Sequence, residues 1–203
     1  MNPKNYVKNV LITESRDTAR LVERFSNSRN IRLMHGILGL SSELAEIREA
    51  HGQDEIDAVN LKEEMGDLYW YIGIMIDELQ VDPDTVLTVH SINEPGYTDP
   101  EARKEMLGHA IDVMTVQIGE ASDLLKKAII YGKPLDEQKL AERLKNLDFW
   151  IAHSLFLYQI KPGDSRETNI AKLKARYGDK FTEAAALERD LAAERAILEK
   201  NNG

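Results

Sequence analysis

The chain contains no cysteine, which removes disulfides, thiolate metal sites and cysteine nucleophiles from consideration. Proline is scarce: six in 203 residues, at positions 3, 83, 95, 100, 134 and 162. Proline breaks helix interiors, so the stretches 4–82, 101–133, 135–161 and 163–203 are free to run as long helices. Long apolar runs are also missing. The longest, "YWYIGIMI" at 69–76, is too short to span a bilayer and reads as a core helix. The start, "MNPKNYVKNVLITESRD", lacks the apolar stretch of a signal peptide, so a cytoplasmic location is the default expectation. Positive charge is in deficit, with 26 Lys and Arg against 35 Asp and Glu and a net charge of −9. A nucleic-acid groove or an anionic membrane surface needs clustered Lys and Arg, so neither is expected as a partner. An anionic small ligand would have to arrive with cations.

What remains is ordinary for a globular protein, 42% apolar and 30% charged, in a chain long enough to bury a core. Helical periodicity dominates. Helices are expected over about 4–26, 30–51, 54–80, 99–131 and 135–160, with one or two more in the last forty residues. Asp99-Pro100-Glu101 reads as an N-cap followed by proline at the first helical position. Only "DTVLTVHSI" at 84–92 has a strand-like pattern. The expected fold is an all-α bundle of about six to seven helices in one domain, with halves at about 1–80 and 99–162 followed by C-terminal helices from 163.

The halves resemble each other. "SELAEIREAH" at 42–51 aligns with "GEASDLLKKA" at 119–128, and "NLKEEMGDLYWY" at 60–71 with "KLAERLKNLDFW" at 139–150. In this register Glu43 and Glu46 match Glu120 and Asp123, whereas Glu64 and Asp67 match Arg143 and Asn146. A duplicated helical hairpin with one degenerate copy explains the similarity; chance likeness between amphipathic helices is the alternative.

Glu43 with Glu46, and Glu64 with Asp67, are acids three residues apart, which places each pair on one helix face. Their neighbours are apolar: Ile37, Leu38, Leu40, Leu44 and Ile47 for the first pair, Leu61, Met65 and Leu68 for the second. A solvated acidic face is the plain reading of one such pair. Two pairs on consecutive helices joined by a short turn near Gly52 pack antiparallel, bringing four carboxylates together. Two carboxylates about 4 Å apart repel by roughly 4 kcal/mol at an effective dielectric of 20. Four must take up protons or hold cations. An all-oxygen set suits a hard ion, Mg²⁺ or Mn²⁺. A di-iron bundle would need Glu-x-x-His, and the residues three before the five histidines are Arg32, Arg48, Leu87, Met106 and Trp150. His-Glu-x-x-His and a phosphate-cradling glycine loop are absent too.

A Glu-x-x-Glu helix followed, after a spacer of 17 residues, by Glu-x-x-Asp resembles the MazG-like all-α nucleoside triphosphate pyrophosphohydrolases, a superfamily that includes the dimeric dUTPases. The resemblance covers "HGILGLSSELAEIREA" and "NLKEEMGDLYWYIGIMIDEL", about 35–80, and resumes at "NIAKLKARYGDKF", 169–181. This chain departs from the family at Ser41 and Ser42, where members often carry a further Glu, and at Arg143 and Asn146, which make the second half a poor metal site. The resemblance implies hydrolysis of a nucleoside triphosphate between the α and β phosphates, releasing a monophosphate and pyrophosphate. It implies Mg²⁺ on Glu43, Glu46, Glu64 and Asp67, bridging the phosphates and activating water. Glu46 and Glu64 are the catalytic candidates, Glu46 by position as proton acceptor. Lys172 and Arg176, four apart on one face, are candidates for the phosphates, with Asn169 beside them. Tyr71, one turn after Asp67, and His35, two turns before Glu43, are candidates for the base; Trp70 reads as core. A homodimer with one working site per chain is expected. A dUTP-preferring enzyme and a noncatalytic helical binding protein are the alternatives.

Overall fold

Helix starts are written into the Asn and Asp residues of this chain. In the computed structural model, which describes residues 1–88, 99–178, 181, 182, 184 and 190–200, eight such residues cap helices. Asn2, Asp17, Asn27, Asp57, Asp82, Asp99, Asp136 and Asp190 each accept a backbone N–H from the first turn they precede. Each cap of this kind is worth about 1 kcal/mol. The fold is all-α: the described residues hold nine helices and no strand. These are α1 (Pro3–Thr13), α2 (Thr18–Phe25), α3 (Ser28–His51), α4 (Ala58–Leu79), α5 (Pro83–Val86), α6 (Pro100–Ile129), α7 (Glu137–Leu157), α8 (Pro162–Tyr177) and α9 (Leu191–Lys200). No helix among the described residues is long and apolar enough to cross a membrane.

Two expected elements are corrected. The single helix over 4–26 is two, because Glu14 turns extended (ψ 137°) and Asp17 caps a new helix by accepting from the Arg20 N–H. Local side-chain bonds compete with helix continuation here. The strand-like 84–92 begins instead as the single turn of α5, and Thr88 then donates through its N–H and its hydroxyl to the buried Asp148 carboxylate at 3.0 and 3.1 Å. Residues 89–92 lie outside the described residues.

The core is a four-helix bundle of two antiparallel hairpins, α3–α4 and α6–α7, packed through α3 on α6 and α4 on α7. Buried positions correspond between the hairpins in the register read from the sequence. Leu61, Met65, Leu68, Ile72 and Ile76 on α4 fall on Leu140, Leu144, Leu147, Ile151 and Leu155 on α7, all buried. α8 lies against α4, and α9 covers α8 and α4. This last layer has no counterpart on the second hairpin among the described residues, and it closes one side of the first.

Replacing Ile72, fully buried at 0% exposure, with Ala should destabilise the fold by about 2–5 kcal/mol in urea unfolding. Ile170→Ala, at a side chain 46% exposed, should change stability by less than about 0.5 kcal/mol. Equal losses would contradict this core.

Candidate metal centre and cleft

Two glycines decide how closely the site's helices approach. Gly39 on α3 lies under the Tyr71 ring of α4, and a Cβ there would stand 2.1 Å from Tyr71 Cε1. Gly66 on α4 lies under α8, where a Cβ would meet Asn169 Cβ at 2.9 Å. One turn beyond Gly39, and within two residues of Gly66, the acidic residues converge. Carboxylate oxygens of Glu43, Glu64 and Asp67 all lie within 4.8 Å of one another, a spacing a single hard ion can span with oxygens about 2.0–2.6 Å from it. Glu64 is buried, and Glu43 and Asp67 are half-buried. Glu46 is exposed at the rim of the same cleft.

Crowding shows in the protonation equilibria. Burial, followed by the charges of Glu46 and Asp67 and a hydrogen bond with Glu43, pushes the Glu64 carboxyl up to about 9. Burial and then the Asp67 charge also raise Glu43, while its hydrogen bond with Glu64 pulls the other way. The pair therefore shares a proton that Glu64 donates and Glu43 accepts. Such a cluster takes either protons or a cation, and its donors are all hard oxygens. The residues present fit a divalent ion of the Mg²⁺ or Mn²⁺ kind.

Behind the carboxylates stands α8. Lys172, its side chain 2% exposed, points Nζ at Asp67 Oδ2 (2.6 Å) and Glu63 Oε1 (3.1 Å). Asn169 Nδ2 donates to Asp67 Oδ1 at 2.5 Å. Both oxygens of Asp67 are thus oriented from the rear. Arg176 is held by the carboxylate of Glu194 on α9, through Nε at 2.8 Å and Nη2 at 2.5 Å. Lys172 and Asn169, the candidates for the phosphates, bond the acids in this structure, and Arg176 reaches the cleft wall while tied to Glu194.

The cleft measures ≈ 370 Å³, and its second wall is aromatic. His35, Trp70 and Tyr71 meet edge to face, with ring centroids 5.0 to 5.9 Å apart. Tyr177 and Phe181 pair at 5.1 Å nearby. Burial and the charges of Glu43 and Asp67 push the Tyr71 hydroxyl up to about 12, so it stays a donor. The structure therefore places Glu43, Glu46, Glu64, Asp67, His35, Tyr71 and Arg176 on one cleft.

Sequence reasoning passed over four participants. Glu63 was legible, four residues before Asp67 on the helix that carries the motif. Trp70 lines the cleft and is only half-buried, because an amphipathic pattern does not tell a groove from a core. Tyr177 and Glu194 carry no local signal, since they matter only once α8 and α9 pack.

The corresponding residues of the second hairpin are already neutralised. Arg143 Nη1 donates to Glu120 Oε2 at 2.7 Å and to Gln117 Oε1 at 3.2 Å, and Asn146 donates to the same Gln117 oxygen. Asp123 binds Lys126 and Lys127. Comparison of the chain with known protein families, with curated proteins and with solved structures returns no match.

The raised Glu64 value fixes a pH dependence. The stabilisation from holding its proton is complete below about pH 4.5 and is lost as pH climbs toward about 9. With chelator present, the melting temperature should fall over that window, and Glu64→Gln should flatten the fall. A cation must displace the proton, so Mn²⁺ or Mg²⁺ should raise the melting temperature more at roughly pH 8.5 than at roughly pH 6. Scanning fluorimetry at the two pH values checks this, and equal shifts would contradict the site.

Proposed function

We propose that the protein is a nucleoside triphosphate pyrophosphohydrolase, cleaving between the α and β phosphates to give a monophosphate and pyrophosphate. The observation that carries this reading is one cleft with two chemistries: a partly buried carboxylate cluster on one wall and aromatic rings meeting edge to face on the other. A nucleotide has both complements, a polyphosphate that binds carboxylates through cations and a flat base that stacks on aromatic rings. Comparable carboxylate clusters without the aromatic wall would suit a cation store equally well.

Glu43, Glu64 and Asp67 would hold the cation, and Lys172 and Asn169 would keep Asp67 aimed. A divalent ion held by these residues would supply positive charge against the phosphates and against the charge that develops in the transition state. Glu46 is the proton acceptor. It stands exposed at the rim of the cleft, whereas Glu63 and Asp67 are engaged by Lys172, so its lone pairs are available there. It takes a proton from water as that oxygen bonds to phosphorus and the bridging P–O bond breaks, with pyrophosphate as leaving group. Trp70, Tyr71 and His35 seat the base and, by covering one side, limit competing water.

Incubation with a panel of eight common triphosphates plus dUTP and Mg²⁺, followed by product identification, tests the reaction. Monophosphate and pyrophosphate are expected; free phosphate would mean a different bond is cut. Turnover confined to dUTP would narrow the substrate, and none at all would leave a binding protein. Glu46→Gln should lower kcat by about 10² or more while cation-induced stabilisation persists.

Asn169→Ala separates positioning from chemistry. Loss of its bond to Asp67 should weaken Mn²⁺ affinity by about 10–100-fold, read by titration, with saturating Mn²⁺ restoring most of the activity. Failure of restoration would place Asn169 on the substrate instead.

A further inference from the structure

Two cations stand one turn apart on α8, and they turn in different directions. Lys172 points into the carboxylate cluster, with Nζ on Asp67 and Glu63. Arg176 lines the same cleft, yet its guanidinium bonds Glu194 of α9 through Nε and Nη2. Five carboxylates line this cleft: Glu43, Glu46, Glu63, Glu64 and Asp67. A long, flexible arginine on the wall is drawn toward that negative charge as Lys172 is. The carboxylate that turns it aside is Glu194.

That competitor is built to hold. The side chains of Arg176 and Glu194 are 12% and 5% exposed, so water and salt screen the pair far less than a surface ion pair. Two bonds match the fork of the guanidinium to both carboxylate oxygens, the strong form of such a contact. Tyr177 closes another side, its ring centroid 5.6 Å from the guanidinium carbon. Glu194 is in turn fixed by the anchoring of α9. Lys62, buried on α4, donates from Nζ to the Leu198 carbonyl at 2.5 Å, and Leu198 is itself buried. Arg195 pairs with Asp57, the N-cap of α4, at 2.9 Å. The helix that carries Glu194 thus rests on the helix that carries Glu63, Glu64 and Asp67. It lies beyond 169–181, the last stretch that resembles the pyrophosphohydrolases.

We propose that Glu194 is a positioning residue for the metal centre: it holds the Arg176 guanidinium out of the carboxylate cluster and so keeps the cluster open to a divalent cation. This rests on the cation site of the reading above, not on the reaction. The second hairpin displays the outcome that Glu194 prevents. There a guanidinium has entered, and Arg143 bonds Glu120 at 2.7 Å. An arginine placed that way in the first hairpin would satisfy its acids permanently and compete with any ion. Removing one member of a buried pair strands the other charge, so the Arg176–Glu194 bond stays made while the cluster fills and empties.

Calorimetric titration with Mn²⁺ alone, without nucleotide, reads the effect directly. Glu194→Gln keeps the shape but not the charge, and should weaken Mn²⁺ binding by about 10–100-fold, the range for residues that support a metal site from outside it. Adding Arg176→Ala to Glu194→Gln should restore the affinity of the unaltered chain, because the intruding cation is gone. A purely structural role for the pair predicts the reverse, a further loss with the second substitution. Arg195→Ala, which loosens α9 at Asp57, should lower the melting temperature and leave Mn²⁺ affinity unchanged. If circular dichroism shows that Glu194→Gln does not fold, Glu194→Met, uncharged and of similar length, takes its place. Unchanged affinity in Glu194→Gln, no recovery in the double variant, or an equal loss in Arg195→Ala would each overturn the proposal. An unaltered chain that binds no Mn²⁺ would overturn the cation site along with it. Loss and recovery of Mn²⁺ binding in a chain that turns over no triphosphate would uphold the proposal and sink the reaction alone.

Discussion

Everything distinctive in this molecule follows from carboxylates forced together by the close approach of α3 and α4. Gly39 lets the Tyr71 ring lie on the α3 backbone, and Glu43 follows one turn later, facing Glu64 and Asp67. Like charges at this distance in a half-buried setting repel by several times thermal energy. The fold accommodates them in three ways at once. One proton is shared between Glu43 and Glu64, one lysine is buried against Asp67 and Glu63, and the remaining acid, Glu46, stays in solvent. Each arrangement draws on a different element, which is why α8 has to pack on α4 for the hairpin to be tolerable. Breaking a buried ion pair by removing one member typically costs about 3–5 kcal/mol, so Lys172 is as much a structural requirement as an electrostatic one.

The second hairpin solves the same problem with its own side chains. Where α4 has Glu64, α7 has Arg143, and the guanidinium bonds Glu120 across the helix pair at 2.7 Å. A cation supplied by the chain is permanent, needs no extra helix behind it and leaves nothing for a ligand to displace. The first hairpin lacks that internal counter-ion and is the one that α8 and α9 enclose. The two halves thus share a frame of buried leucines and isoleucines but differ in where the compensating charge comes from. That difference, rather than backbone geometry, marks one half as a site.

The all-α class, the order of the long helices and their core-facing positions were legible because they rest on local chemistry: the cap at Asp99, prolines at 100 and 162, and apolar residues at helical spacing. The convergence of Glu43, Glu64 and Asp67 was legible for the same reason, since spacing and a short turn suffice to bring two antiparallel faces together. Direction was harder. Lys172 and Asn169 belong to the right neighbourhood, but which way they point depends on the depth at which α8 settles over Gly66. Arg176 and Glu194 are bonded across 18 residues, a pairing no window of periodicity contains. The break at Glu14 was missed because apolar residues continue in helical register on both sides of it, and only the capping bond of Asp17 reveals the boundary.

Charge counting shows what such a cleft demands of an anion. Glu43, Glu46, Glu63, Glu64 and Asp67 bring five potential negative charges, and Lys172 with the shared proton offsets two. Arg176, on the wall, is already committed to Glu194. A polyphosphate approaching this surface alone meets net repulsion from every direction except the aromatic side. Cations that displace the proton change the sign of the problem: with it gone the cluster stands at −4, which one divalent ion halves and two cancel. Affinity for a polyphosphate would then depend on cation concentration with a steepness set by the number of ions bound, while affinity for the base, resting on ring contacts, would not. The two walls of the cleft are separable in this sense. On the proposed reading, one would recognise a shape at all times, and the other would attract phosphate only after its proton had been exchanged for metal.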